Sequence, residues 1–182
     1  MSYISDHQQK FNDLTFQIEN QDQIRRTANG GNSILFSYPP EEESLYLQKA
    51  KELFSNKAEF IDISKLLVAY IDQDGWEDFA EYYKDFQDTP HKVFRSDDPA
   101  VDLFDMIIQA IVKASADEKL PFLVRTGCLL GTGIENVNIM EHRQVMSLKH
   151  PLVIFYPSKI VDGAPYFLNF KPASNYRCTV VK

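Results

Sequence analysis

Three apolar, strand-like runs end in loops where an α/β protein would hold a phosphate, so the residues opening those loops are the first candidates for chemistry. The first run, Ile34-Leu35-Phe36-Ser37-Tyr38, leads into Pro39-Pro40-Glu41-Glu42-Glu43. A phosphate loop closes successive backbone N–H groups around the anion, supplies a lysine for the terminal phosphates and aims a helix N-terminus at the ligand. Here two prolines have no N–H to offer, and three glutamates fill the first turn of the expected helix. Carboxylates there complement the helix macrodipole, and proline suits the first helical position. The segment therefore favours a helix start and repels a triphosphate. Asp62 closes the second run at a position where α/β enzymes often place a magnesium-binding carboxylate. Without a phosphate loop it has no substrate to serve, and a capping or ion-pairing role is expected. The third loop, Thr126 to Gly133, is the only glycine-rich element near a strand end. It lacks GxGxxG spacing, a Walker lysine and a placed ribose-binding acid, so its glycines are expected to permit a tight strand-to-helix connection.

Other reactive residues form no recognisable set. The histidines His7, His91, His142 and His150 lack zinc-type spacing, and Cys128 and Cys178 have no CxxC partner. Glu141 and His142 are neighbours on an expected helix and do not face each other. No serine lies in a GxSxG elbow. The reading is of a non-enzyme with no catalytic residue, cofactor or metal. The stronger candidate is an interaction surface of Tyr38, Pro39, Pro40, Phe155, Tyr156, Pro157, Tyr176 and Arg177, because tyrosine and arginine are enriched where interfaces concentrate their binding energy.

The 182 residues are 44% hydrophobic, enough for one domain with a substantial core. A net charge of −7 without a legible basic patch argues against direct nucleic-acid binding. No basic-then-apolar leader is legible, and no apolar run approaches the roughly 18 to 20 residues a bilayer demands. A cytoplasmic protein with reduced thiols is expected.

Periodicity supplies the elements that position these residues. Residues 5–27 carry Phe11, Leu14, Ile18 and Ile24 at helical intervals, which predicts an amphipathic helix that packs across the body or docks a partner. Asn29-Gly30-Gly31-Asn32 ends it. A strand from Ser33 to Ser37 precedes a helix from Pro40 to Ser55 with Leu45, Tyr46, Ala50, Leu53 and Phe54 inward. Phe60 to Ile63 forms a second strand, and Ser64 caps a helix that Gly75 ends. A helix over 76–86 turns Trp76, Phe79, Tyr83 and Phe86 to the body, residues 87–96 form a loop, and Asp97-Asp98-Pro99 starts the clearest core helix. Phe122 to Val124 is a strand, followed after the glycine loop by a helix carrying Val137, Ile139, Met140 and Val145. Leu152 to Tyr156 is a buried strand ended by Pro157. The runs 166–170 and 176–181 are expected to close one edge as an antiparallel pair. The expected fold is a three-layer α/β domain: a mainly parallel central sheet of about five or six strands, helices on both faces, antiparallel C-terminal edge strands and an N-terminal helix. Residues 1–31 form the helix and connector, and residues 32–182 the α/β domain.

Five segments occur in the same order in one known family: Asn-Gly-Gly before a strand ending Ser-Tyr-Pro-Pro-Glu-Glu-Glu, then Phe60-Ile61-Asp62-Ile63-Ser64-Lys65-Leu66-Leu67, the Thr-Gly loop after Val124, Pro151 to Pro157, and Asn175-Tyr176-Arg177. From about Asn12 to Val181 the chain resembles the BrxB family, a small component of bacteriophage exclusion (BREX) defence systems. It differs from the usual family pattern at Pro157-Ser158-Lys159 and at Lys171-Pro172-Ala173-Ser174. The resemblance implies an accessory role in an anti-phage system that also contains a DNA methyltransferase, an AAA+ ATPase and an alkaline-phosphatase-like PglZ component, the last being the expected partner. The oligomeric state is open. The alternative reading is a degenerate P-loop-like domain that binds a nucleotide or nucleic acid at the carboxyl ends of its strands.

Overall fold

Strands apolar on both faces need cover on both faces, and that requirement sets the architecture. In the computed structural model, which describes residues 2–97, 100–173 and 177–182, β1 (Ser33–Tyr38) and β3 (Leu120–Val124) are buried along their whole length. The first seven residues of β4 (Leu152–Val161) are buried as well. With β2 (Ala58–Asp62) and β7 (Thr179–Val181) they form a parallel sheet in the order β2-β3-β4-β1-β7. Ser33 lies opposite Leu152, and Ile34 lies opposite Thr179 on its other side.

One face is covered by α1 (Ser2–Glu19), α2 (Gln21–Thr27) and α3 (Glu43–Phe54). Its core is aromatic: Phe11 packs on Phe36 and Tyr46, and Tyr46 on Tyr38, with ring centroids 5.0 to 5.8 Å apart. The N-terminal segment thus packs across the body, because Phe11, Leu14 and Ile24 are buried in this layer. It is two helices. They part at Asn20, whose side-chain amide donates to the Phe16 carbonyl at 2.8 Å. Arg25 then ties α2 to the Met146 and Leu148 carbonyls at 2.8 and 2.9 Å.

The other face carries α4 (Ile63–Ile71), α5 (Trp76–Lys84), α6 (His91–Phe94), α7 (Leu103–Ala116), α8 (Asn136–Met140) and α9 (Arg143–Met146). The stripe Leu103, Ile107, Ile108 and Ile111 of α7 is buried at its centre. Each such side chain contributes about 1.5–3 kcal/mol by leaving water.

Several elements differ from the sequence-based expectation for identifiable reasons. A 3-10 turn at Pro40–Glu42 shifts the phase of α3, so Leu47 is buried while Leu45 and Leu53 face solvent. Asp62, and not Ser64, caps α4, whose last residue is Ile71. Gly75, at φ 83°, opens α5 and leaves Trp76 at its exposed first position. The expected loop at 87–96 contains α6, held by the buried Val93 and Phe94. Helix α7 starts later than expected, at a capping box of Asp102 and Asp105 in which Asp102 Oδ1 accepts from the Asp105 N–H at 2.8 Å. Asp98 and Pro99 lie outside the described residues. The single helix expected over 137–145 is the pair α8 and α9.

The largest differences are at the C-terminal side. Pro157 does not end β4. It faces Tyr38 at the last position of β1, where a missing N–H costs the parallel ladder little, and its carbonyl accepts from Leu168 N–H at 2.8 Å. Beyond it β4 exchanges β1 for β5 (Ala164–Phe167), running antiparallel through a turn at Asp162 and Gly163, and β6 (Lys171–Pro172) extends that hairpin. The two last runs therefore do not pair with each other, because β7 joins the far edge parallel to β1.

Candidate functional site

All five parallel strands point their carboxyl ends to one side of the sheet. The connection after β1 enters α3 on one face, and the connection after β3 leads to α8 and α9 on the other. A crevice opens between them, as it does at ligand sites of doubly wound sheets. It has a volume of about 230 Å³ and is lined by Pro40 and Glu43 after β1, Arg125, Gly127 and Cys128 after β3, and Pro157 and Leu168 at the hairpin.

The charged groups in and beside the crevice have defined partners. The Tyr38 hydroxyl donates to Glu43 Oε2 at 2.8 Å. Asp62 Oδ1 accepts from the Ser64 N–H at 3.0 Å and from the Ser64 hydroxyl at 2.6 Å, which caps α4 as expected. Its second oxygen lies 3.3 Å from Arg125 Nε. Arg125 has a left-handed backbone with φ 57°, which turns the chain from β3 into a 3-10 turn at Thr126–Leu129. Thr126 is buried and donates from Oγ1 to the Phe155 carbonyl at 2.7 Å. The Cys128 thiol is pushed up by burial, with Glu43 and Asp62 adding to the effect and Arg125 opposing it. A thiol so placed stays protonated and is a poor nucleophile. Close by, His7 Nε2 lies 2.9 Å from Glu42 Oε2, so a second glutamate of the triplet is also engaged.

The glycine loop borders a smaller cavity of about 140 Å³, lined in part by Gly131, Gly133, Ile134, Asn136, Tyr156 and Phe167. Gly133, at φ 77°, lies so close to α6 that a Cβ there would stand 2.7 Å from the His91 Cβ. This glycine serves a close approach between connection and helix. Gly131 also has positive φ, at 87°.

The expected interaction surface does not assemble. Tyr38, Phe155 and Tyr156 are core residues, 0–1% exposed, because β1 and β4 are interior strands with helices on both faces. Pro157 is buried as well. Pro39 and Pro40 remain partly exposed at the carboxyl end of β1. Arg177 is exposed at the opposite, amino end, its main chain against Gly31 and its side chain 3.8 Å from Glu141. Tyr176 lies outside the described residues. Sequence reasoning missed Arg125, which falls at a strand end with no periodic signal of its own, and the pairing of Glu43 with Tyr38.

Among the described residues no group of three or more His, Cys, Asp or Glu side chains could hold a metal ion. No helix among them is long and apolar enough to cross a membrane. Comparison of the chain with protein-family models, with curated proteins and with solved structures finds no match.

Proposed function

We propose that this protein is a non-enzymatic accessory component of a BREX-type anti-phage system, acting in the cytoplasm by contact with another protein, the PglZ-type component. The observation that carries this reading is the condition of the crevice where an α/β protein would do chemistry. Glu43 is held by Tyr38, Asp62 is committed to the α4 cap and to Arg125, and the Cys128 thiol is kept protonated. A nucleophile, a base and a group to orient them do not converge there. The ordered motifs shared with BrxB proteins point to the same role.

Nucleotide binding at this mouth is disfavoured by charge and by backbone chemistry. Arg125 is the one cation among the described lining residues and faces Asp62, while Glu43 presents a carboxylate and Pro40 no N–H.

Co-expression with the PglZ-like protein tests the proposal. The two should elute together in size exclusion, and separate elution would overturn the reading. Calorimetric titration with ATP and GTP should give no saturable heat. Sub-millimolar affinity that disappears in Arg125→Ala would establish the nucleotide-binding alternative instead.

A further inference from the structure

We infer that the β2 edge of the sheet is a self-complementary interface on which a second copy of this chain adds its own β2 antiparallel, joining the two sheets about a two-fold axis at Phe60.

Among the described residues β2 pairs with β3 alone. The Lys57 carbonyl accepts from the Leu120 N–H at 2.9 Å, and the alternation of a parallel ladder then turns the main-chain groups of Ala58 and Phe60 away from β3. Neither residue has a main-chain partner on that side among the described residues. The strand from 58 to 62 contains no proline or lysine of the kind that blunts exposed edges.

The side chains around this edge ask for cover too. A groove of about 410 Å³ runs between β2, the start of α4 and the second half of α7. Ala110 and Ala114, one turn apart on α7, leave its floor open, and Leu66 forms part of its wall. Helix α4, with the sequence Ile-Ser-Lys-Leu-Leu-Val-Ala-Tyr-Ile, buries only Ile63 fully, and Val68 is 56% exposed. The start of α4, through Lys65 and Leu66, lines one groove with the unpaired strand edge.

Charge selects the occupant. The groove carries two cations, Lys65 and Lys113, and three anions, Glu59, Asp62 and Asp117; Asp62 faces Arg125, and no ion pair joins the other four. A surface bearing both signs matches itself about a two-fold axis, which brings each acid to the other copy's bases. With Phe60 opposite Phe60 of the second copy, Ala58 faces Asp62 and Glu59 faces Ile61. No like charges lie directly opposite, a condition that otherwise destabilises strand pairs. The same register lays Glu59 of the second copy on the face of β2 that packs on α7, beside Lys113 and Lys65.

Sedimentation equilibrium on the full chain tests this. The wild type should associate to twice its 21.0 kDa mass. Phe60→Pro removes an outward N–H, a change edge strands tolerate, and should weaken the dimer by at least about a hundredfold with the circular dichroism of the fold retained. Glu59→Lys and Lys113→Glu should each weaken it about tenfold, and the two together should recover most of the loss. A wild type that stays monomeric at every concentration, a dimer indifferent to Phe60→Pro, or swaps that fail to rescue each other would overturn the proposal. So would a monomer whose β2 edge is covered only by a different protein. Self-association is measured without the PglZ-type partner, so its failure leaves the adaptor reading intact.

Discussion

The hydroxyl of Tyr38, at the last position of β1, donates to Glu43 Oε2 in the first turn of α3, and this 2.8 Å bond fixes the turn that carries Pro39 and Pro40. Burial and the neighbouring carboxylate both push the phenol up, so it keeps its proton at any working pH. The two ends of the bond are unequal. Tyr38→Phe leaves a carboxylate that can turn to water and should cost about 1 kcal/mol, whereas Glu43→Ala strands a buried hydroxyl and should cost about 1–3 kcal/mol. Urea denaturation should show the double variant no less stable than Glu43→Ala alone.

Cys178 gives a pH prediction. Burial pushes its thiol up to about 12 from an ordinary value of 9.0. The unfolded chain then releases this proton above about pH 9 while the folded chain keeps it, so the folded state binds more protons and loses stability as pH rises. Between about pH 9 and 12 the loss should approach 1.4 kcal/mol per pH unit for this group. Denaturation midpoints should fall across that window and fall less steeply in Cys178→Ala. Alkylation at pH 8 should be slow in the native protein and fast in urea.

Gly30 and Gly31 separate two ways in which a glycine is required. A Cβ on Gly31 would stand 1.8 Å from the Arg177 carbonyl oxygen, so Gly31→Ala must displace the segment leading into β7. Gly30 has open space around it and a φ of 85°. Gly30→Ala should cost about 1 kcal/mol from its backbone alone, and Gly31→Ala should exceed it by a further 1–3 kcal/mol or so. Hydrogen exchange at Thr179 to Val181 should accelerate only in the second variant.

Arg125 has a left-handed backbone and a half-exposed ion pair to Asp62. Arg125→Gly relieves the first and loses the second, and a solvent-screened pair is worth about 0–1 kcal/mol, so thermal unfolding should change little. Arg125→Val should destabilise by about 1–2 kcal/mol, since a β-branched residue tolerates that φ poorly. Asp62→Ala should cost about 1–2 kcal/mol through the α4 cap.

The sequence made the three layers legible because interior parallel strands leave continuous apolar runs, as Leu152 to Tyr156 does, and because α7 repeats its apolar residues at helical spacing. The same continuity hides burial at strand ends: Tyr38, Phe155 and Tyr156 occur there, but a strand covered on both faces has no outward side to offer them. Boundaries failed where a local bond overrode composition. The 3-10 turn at Pro40–Glu42 rotated Leu45 and Leu53 outward, and the Asp102–Asp105 box set the start of α7 beyond the acidic run that suggested it. The destination of β7 was not legible, because three residues with no preceding helix carry no sign of which edge they join. The crevice was located in outline by the strand ends. Its ion pair and its tyrosine–glutamate bond depend on distances that spacing along the chain does not encode.

The first strand made waits longest for its neighbours in the sheet. Ser33 meets Leu152 only after 118 intervening positions, and Ile34 meets Thr179 later still. While the ribosome makes everything between, Ile34, Leu35 and Phe36 have no neighbouring strand to join, and separations of this length slow folding and lengthen exposure to aggregation. A nascent polypeptide halted short of residue 152 therefore holds three large apolar side chains of β1 without either strand that flanks them in the finished sheet.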